Sequence, residues 1–243
     1  MGKRILVQRR GRGSLTFMAA THRRVAPARY QGLSGIDIMN KSLKGQVLDL
    51  VHDPGRGTPL AYIELETGER YHTLAVEGLR EGQIIEVGGK ASISTGNILP
   101  IGVIPEGTII CNIELLPGDG GKLVRSSGAY ATVLSHTPER TLISLPSGKT
   151  RYINDRCLAT IGVVAASGRT EKPFIKAGNK FHWMKAKGHK YPRVRGRAMI
   201  AALHPFGSGR KSAKKPSTVS RNAPPGAKVG QIAAKRTGRK KRK

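Results

Sequence analysis

His204 is the residue of this chain best placed to do chemistry. An imidazole titrates near neutrality without assistance. Pro205 stiffens the backbone after it, so general acid–base work is one reading. A hydrogen-bonding contact in a tight, ligand-facing loop is the other. Close by, Gly207-Ser208-Gly209-Arg210-Lys211-Ser212 has the glycines and cations of a phosphate loop. It lacks the second Gly-Lys pair at the proper spacing and no strong strand precedes it, so a nucleoside-triphosphate site is rejected. His182 and His189 stand seven apart with no Cys or acid near enough to complete a metal site. Cys111 and Cys157 are too few and too distant for a disulfide framework or a zinc module, and read as small buried apolar side chains. No Ser/His/Asp or paired-carboxylate pattern is legible. The expectation is no metal, no cofactor and no enzymatic activity.

What remains is the chemistry of cations and rings. Trp183, Phe181 and Tyr191 are interleaved with Lys180, Lys185, Lys187, His189, Lys190, Arg193, Arg195 and Arg197. Aromatic and guanidinium planes can stack on unpaired bases while ammonium groups hold phosphates. The same rings could instead anchor this segment to a folded body. Further on, Gly207, Gly209 and Gly226 sit among Arg210, Lys211, Lys214, Lys215, Arg221 and Asn222, where glycine would let backbone amides approach phosphates. The run Lys235-Arg236-Thr237-Gly238-Arg239-Lys240-Lys241-Arg242-Lys243 is a polybasic tail. At the other end, Arg9, Arg10, Arg12, Arg23 and Arg24 form a smaller basic arm.

The elements that position these groups follow from how charge is distributed. The 243 residues carry 43 Lys or Arg against 15 Asp or Glu, a net charge of +28 that is the footprint of a polyanion binder. Residues 1–44 hold ten bases and one acid, residues 45–171 eleven and fourteen, and residues 172–243 twenty-two and none. A near-neutral middle thus carries two basic arms. Only the middle has the short apolar runs of a core: 46–51, 60–66, 83–87, 109–115, 129–134, 141–145 and 161–166. In 60–66, Ala61, Ile63 and Leu65 alternate with Tyr62, Glu64 and Glu66, the period of a half-buried strand. Thr67-Gly68, Pro117–Gly121 and Pro146-Ser147-Gly148 supply turns. Strands this closely spaced imply barrels rather than βαβ units. The predicted division is a basic extension over 1–44, a first barrel over 45–100, a second over 101–171 and a basic extension over 172–243. Alone, the arms cannot offset their ordering entropy by burial, and are expected to order on RNA.

No run of 18 apolar residues exists to span a bilayer. The apolar stretch Ile5–Val7 is too short for a signal-peptide core, and Leu6 stands where a myristoylation site needs Ser or Thr. The chain reads as soluble, cytoplasmic and without a membrane partner.

Several segments carry a family likeness. They include His52-Asp53-Pro54-Gly55-Arg56-Gly57-Thr58-Pro59-Leu60-Ala61, Gly96–Gly102, Pro105-Glu106-Gly107-Thr108, Ser126–Ala131 and Leu145–Gly148. Later come Pro192-Arg193-Val194-Arg195-Gly196, His204-Pro205-Phe206-Gly207, Ser220-Arg221-Asn222-Ala223-Pro224-Pro225-Gly226 and Lys235–Arg239. Together they resemble the universal large-subunit ribosomal protein numbered two, in its archaeal and eukaryotic form, over essentially the whole chain. The resemblance implies an oligonucleotide-binding barrel followed by an SH3-like barrel, with long extensions into large-subunit ribosomal RNA. It also implies a place near the peptidyl-transferase region, neighbouring ribosomal proteins, and a contact with the small subunit. One stretch departs from the pattern. The family reads Arg-Gly-Val-Ala-Met-Asn with an acid before His-Pro, where this chain has Ile200 and Leu203. Leu203 has no carboxylate to orient the imidazole beside it or raise its pKa, which argues against catalysis by His204. The competing functions are an RNA-acting enzyme using His204 and a DNA-compacting basic protein.

Overall fold

The computed structural model describes residues 3–30, 39–207 and 218–235. In chain order they form α1 (Leu6–Arg10), β1 (Ser42–Val51), β2 (Leu60–Leu65), β3 (Arg70–Leu74), β4 (Ile84–Gly88) and β5 (Ile98–Pro100). Then come β6 (Ile109–Cys111), β7 (Ala131–Thr137), β8 (Arg140–Ser144), β9 (Thr150–Asn154) and β10 (Leu158–Ile161). The helical turn α2 (Gly168–Glu171), the helix α3 (Ala177–Ala186) and the short strands β11 (Thr218–Val219) and β12 (Gln231–Ile232) follow. The chain divides into two compact units, one of residues 20–175 and one of residues 1–19 with 176–243.

In the 20–175 unit ten strands form one continuous ladder, ordered β3-β2-β1-β4-β5-β10-β6-β7-β8-β9. Along β2, Ala61, Ile63 and Leu65 are buried while Tyr62 and Glu64 are half-buried, the alternation that a pleated strand imposes. β1 and β7 open matching halves. Each pairs antiparallel with the next strand, and each carries a bulge, between Val47 and Asp49 and between Val133 and Ser135. The extra residues, Leu48 and Leu134, are exposed. Bulges of this kind bend and twist a strand, as closing a small barrel requires.

Two cores result. Val47, Ile63, Tyr71, Ile85 and Val87 pack in the first; Ile101, Ile110, Ile143 and Cys157 pack in the second. β5 and β10 serve both. Ile98 and Leu158 enter the first core, while their neighbours Leu99 and Ala159 enter the second, because successive side chains on a strand point to opposite faces. The fold is mainly β: an oligonucleotide-binding barrel followed by an SH3-like barrel, with basic, largely irregular extensions.

Two expected strands depart from their apolar runs. β6 stops at Cys111, and Ile113 instead makes an isolated bridge to Leu123. The 161–166 run is not a strand: β10 lies before it and shares only Ile161, after which Val164 makes an isolated bridge to Val76. Residues 20–30 lie on the barrels despite their charge. The Arg29 N–H donates to the His72 carbonyl at 3.0 Å. The buried Tyr30 hydroxyl donates to the Asn112 carbonyl at 2.7 Å and lies 2.7 Å from Thr160 Oγ1.

The other unit has little interior. Among its described residues only Gly188, Gly207 and Val229 are buried. Local chemistry shapes it instead. The Ile5 N–H donates to Gln8 Oε1 at 3.1 Å at the start of α1, and Arg9 and Arg10 occupy its last turn, where cations favour the helix dipole. α3 ends on Gly188 at φ +66°. The His189 N–H donates to the Met184 carbonyl and the Gly188 N–H to the Lys185 carbonyl, the paired bonds of a left-handed glycine cap. The Lys3 N–H donates to the Ala202 carbonyl at 2.7 Å.

Candidate nucleic-acid interface

The unit of residues 1–19 and 176–243 holds 26 Lys or Arg and no acid; residues 20–175 hold 17 and all 15 acids. The first unit therefore has no carboxylate of its own to neutralise it. Lys185, Lys190, Arg193, Arg195, Arg221, Asn222 and Lys235 are exposed, and Lys180, Lys187 and Arg197 half-buried. Arg210, Lys211, Arg236 and Arg239 lie outside the described residues.

The rings and cations of α3 meet one another. Lys187 Nζ stands 3.9 Å from the centre of the Trp183 ring, four residues earlier and so on the same helix face. Lys180 Nζ stands 5.4 Å from the Tyr191 ring centre. The capping glycine brings a third element close. A Cβ on Gly188 would lie 2.8 Å from the Met18 carbonyl carbon and 2.9 Å from the Ala19 nitrogen, so only glycine lets the end of α3 meet the 14–19 turn. Arg10, Lys190 and Arg193 gather at the cleft so formed. Arg9 and Arg12 line a second cleft with Lys3, Arg4 and Leu203. Leu203, where the resembling family has an acid, thus lies among arginines and offers them no counter-charge.

His204 is held by its own loop. Its Nδ1 accepts the Phe206 N–H at 3.0 Å, which leaves the other nitrogen, Nε2, to carry the proton of the neutral ring. The ring lies against Gly196 so closely that a Cβ there would be 2.3 Å from Cε1. A Cβ on Gly207 would be 2.3 Å from the Ile200 carbonyl oxygen, and the Gly207 N–H donates to the His204 carbonyl at 2.8 Å. The absence of side chains at 196 and 207 thus serves the packing of this loop. His204 is half-buried, and no acid exists in its unit to orient or tune it.

Arg23 and Arg24 belong to the barrel unit. The Gly55 N–H donates to the Arg23 carbonyl at 3.1 Å, in the loop that follows the buried Asp53. This neighbourhood holds cations that charge counting missed, because acids elsewhere in residues 45–171 cancelled them. Arg56 Nη1 pairs with Asp53 and also donates to the Ala26 carbonyl at 2.7 Å. Arg125 donates to the Gly121 and Ala28 carbonyls, and burial, with Arg56 beside it, lowers its pKa. Arg169 Nε donates to Ser127 Oγ at 3.0 Å, and Ser127 in turn donates to the Gly57 carbonyl. Arg56 and Ser127 lie inside segments that carry the family likeness, and Arg125 beside one; that was the signal available for them. Cys111 and Cys157 are free and buried, and burial pushes both thiols up to about 12. Among the described residues, no group of three or more His, Cys, Asp or Glu could hold a metal, and no helix is long and apolar enough to cross a membrane.

A near-neutral pair of barrels joined to an acid-free cationic unit is the architecture of a polyanion-binding protein. Comparison with known families narrows this. Residues 3–87 match the family model for the RNA-binding N-terminal domain of ribosomal proteins L2, and residues 94–233 match the model for their C-terminal domain. The chain is 54% identical to large ribosomal subunit protein uL2 of Methanocaldococcus jannaschii, over 99% of this chain and 100% of that one. It is 54% identical to the uL2 of Thermofilum pendens, over 99% and 97% of the two chains, and 53% identical to that of Halorubrum lacusprofundi, over 98% of each. The chain belongs to the ribosomal protein L2 family.

Proposed function

We propose that this chain is a structural constituent of the large ribosomal subunit, in the cytoplasm, and that it binds ribosomal RNA as a component rather than as an enzyme. The segregation of charge carries the reading: 26 bases without one acid in a unit whose described residues bury almost no core. Such a unit gains order by neutralising phosphates. Its contact residues are Arg9, Arg10, Arg12, Lys180, Trp183, Lys185, Lys187, Lys190, Arg193, Arg195, Arg197, His204, Gly207, Arg210, Lys211, Arg221, Asn222, Lys235, Arg236 and Arg239, joined from the barrel side by Arg23 and Arg24. Full-length likeness to proteins named uL2 supports a ribosomal partner. Neighbouring ribosomal proteins, a place near the peptidyl-transferase region and support of subunit association through the small subunit belong to the same proposal.

Within the barrel unit the proposed division falls between residues 100 and 101, with residues 45–100 as the oligonucleotide-binding-like barrel and 101–171 as the SH3-like barrel. Ile85, Val87 and Ile98 before this point enter the first core and Ile101, Ile104 and Ile110 after it enter the second, which supports it, with Leu99 and Leu158 crossing between them. Residues 1–44 and 172–243 are the RNA-contacting extensions.

The test is binding of the full chain to large-subunit RNA fragments and to duplex DNA across a salt series. Preference for structured ribosomal RNA, with a steep log–log salt dependence, is expected; equal affinity for duplex DNA would favour the compacting alternative instead.

A further inference from the structure

We infer that the cleft between α1, the 14–19 turn and the end of α3 receives one unpaired RNA base, which stacks on Tyr191 while Arg10, Lys190 and Arg193 hold the flanking phosphates. This rests on the RNA-binding reading above and names one contact within it.

The open cleft offers about 270 Å³, just below the roughly 300–1,000 Å³ of pockets for drug-sized ligands. It suits one planar ring system better than a whole nucleotide with its phosphates. Its floor is apolar and half-buried: Leu6, Phe17, Met184 and Tyr191. Its rim is exposed and cationic, with Arg10, Lys190 and Arg193 beside His189. Leu6 and Arg10 stand four residues apart, so one face of α1 supplies both an apolar wall and a cation. The Met184–His189 bond caps α3, and the close approach at Gly188 sets that end against the 14–19 turn.

The occupant follows from charge complementarity. A base is the flat, weakly polar part of an RNA strand, and it reaches a protein pocket only when unpaired. Each base in such a strand is flanked by phosphates, which matches an apolar floor ringed by cations. The unit has no acid to compete for that rim. An apolar protein side chain could enter the same floor, but it would itself bring no charge for the three cations, whereas every base comes with flanking phosphates.

The experiment uses the full chain and two RNA hairpins closed by the same compact, structured tetraloop, one with a fully paired stem and one with a single bulged 2-aminopurine in the stem. The wild-type chain is expected to bind the bulged hairpin more tightly and to change the emission of the probe. Tyr191→Ala is expected to weaken binding of the bulged hairpin by about 5- to 150-fold. Its salt slope and its affinity for the paired hairpin should stay unchanged. Tyr191→Phe keeps the ring and should keep the preference. Arg193→Gln should weaken both hairpins and lower the salt slope by about 0.7. A Tyr191→Ala chain that retained the preference would overturn the inference, as would loss of the preference in Tyr191→Phe. A wild-type chain that bound both hairpins equally would also overturn it and leave the cleft to a protein side chain. A wild-type chain that bound neither hairpin with salt dependence would overturn the RNA-binding reading as well.

Discussion

Residues 20–175 and the unit formed by residues 1–19 with 176–243 are stabilised by opposite means. The first buries Leu60, Ile63, Leu99, Ile110 and their neighbours, and spreads 15 acids among 17 bases. Burial of apolar surface offsets its conformational entropy without help from a partner. The second buries Val229 and two glycines among its described residues and carries 26 bases unopposed. Its fixed points are hydrogen-bonded turns, a glycine cap and cation–ring contacts, each worth little alone. One chain thus holds a body with two apolar cores and a cationic unit whose described residues bury little apolar surface. A protein that binds folded RNA can use that division: a body with its own core, and a cationic part to meet phosphates.

The largest expected effect comes from removing the cationic part. A chain ending at Ile175 loses 21 bases and no acids. Each phosphate contact contributes roughly 0.7–0.9 to the log–log salt slope, so the slope for ribosomal RNA should flatten by several units. An unchanged slope would move the binding to the barrels and collapse the contrast.

Core substitutions should divide the units in the other direction. Ile110 is fully buried in the second core, and Ile110→Ala is expected to cost about 2–5 kcal/mol in denaturant unfolding of the free chain. Val229→Ala should leave that same transition within about 0.5 kcal/mol, because little interior depends on it. Equal losses would show that the two units unfold as one.

The smallest effect is a pH dependence confined to the barrel unit. Burial, and then Arg56, lower the pKa of His72, which stacks on Tyr62 with ring centres 4.5 Å apart. A histidine with a lowered folded pKa binds fewer protons folded than unfolded. Its contribution is therefore present above the unfolded value of 6.5 and is lost as the pH falls below it. Wild-type stability should decline modestly as pH falls from about 7.5 to about 5.5, and His72→Gln should remove part of that decline. An identical decline in the variant would assign it to other groups.

The barrels were legible where alternation was strong. The 60–66 run of Ala61, Ile63 and Leu65 became β2, and the turns at Thr67-Gly68 and Pro146-Ser147-Gly148 became the β2–β3 and β8–β9 hairpins with the same bonds. The Leu65 N–H donates to the Glu69 carbonyl, and the Leu145 N–H donates to the Lys149 carbonyl, both at 2.9 Å. β3 and β9 carry no such local signal, because Arg70-Tyr71-His72-Thr73-Leu74 and Thr150-Arg151-Tyr152-Ile153-Asn154 are mostly polar, and their place in the sheet depends on partners. Tyr30 stood in a stretch defined by its charge; the buried bonds of its hydroxyl reach residues 82 and 130 positions away, beyond any local pattern. Of the interface, the clustering of cations and rings along residues 180–197 was legible. The meeting of Leu6 and Phe17 with Met184 and Tyr191 was not, since nothing local links residues so far apart in sequence. The arginines at 56, 125 and 169 were hidden in the count by the 14 acids of residues 45–171, although among the described residues the ion pair at these arginines is between Asp53 and Arg56.

The most direct test of the central claim is photo-crosslinking of this chain in assembled large-subunit particles, with each RNA crosslink mapped to a residue. The account predicts that crosslinks concentrate in the acid-free unit, at Arg9–Arg12, Lys180–Arg197 and Arg221–Asn222, with a smaller group at Arg23 and Arg24. Crosslinks concentrated instead on the outer faces of β1–β4 and β7–β9, with the acid-free unit largely unlabelled, would contradict it.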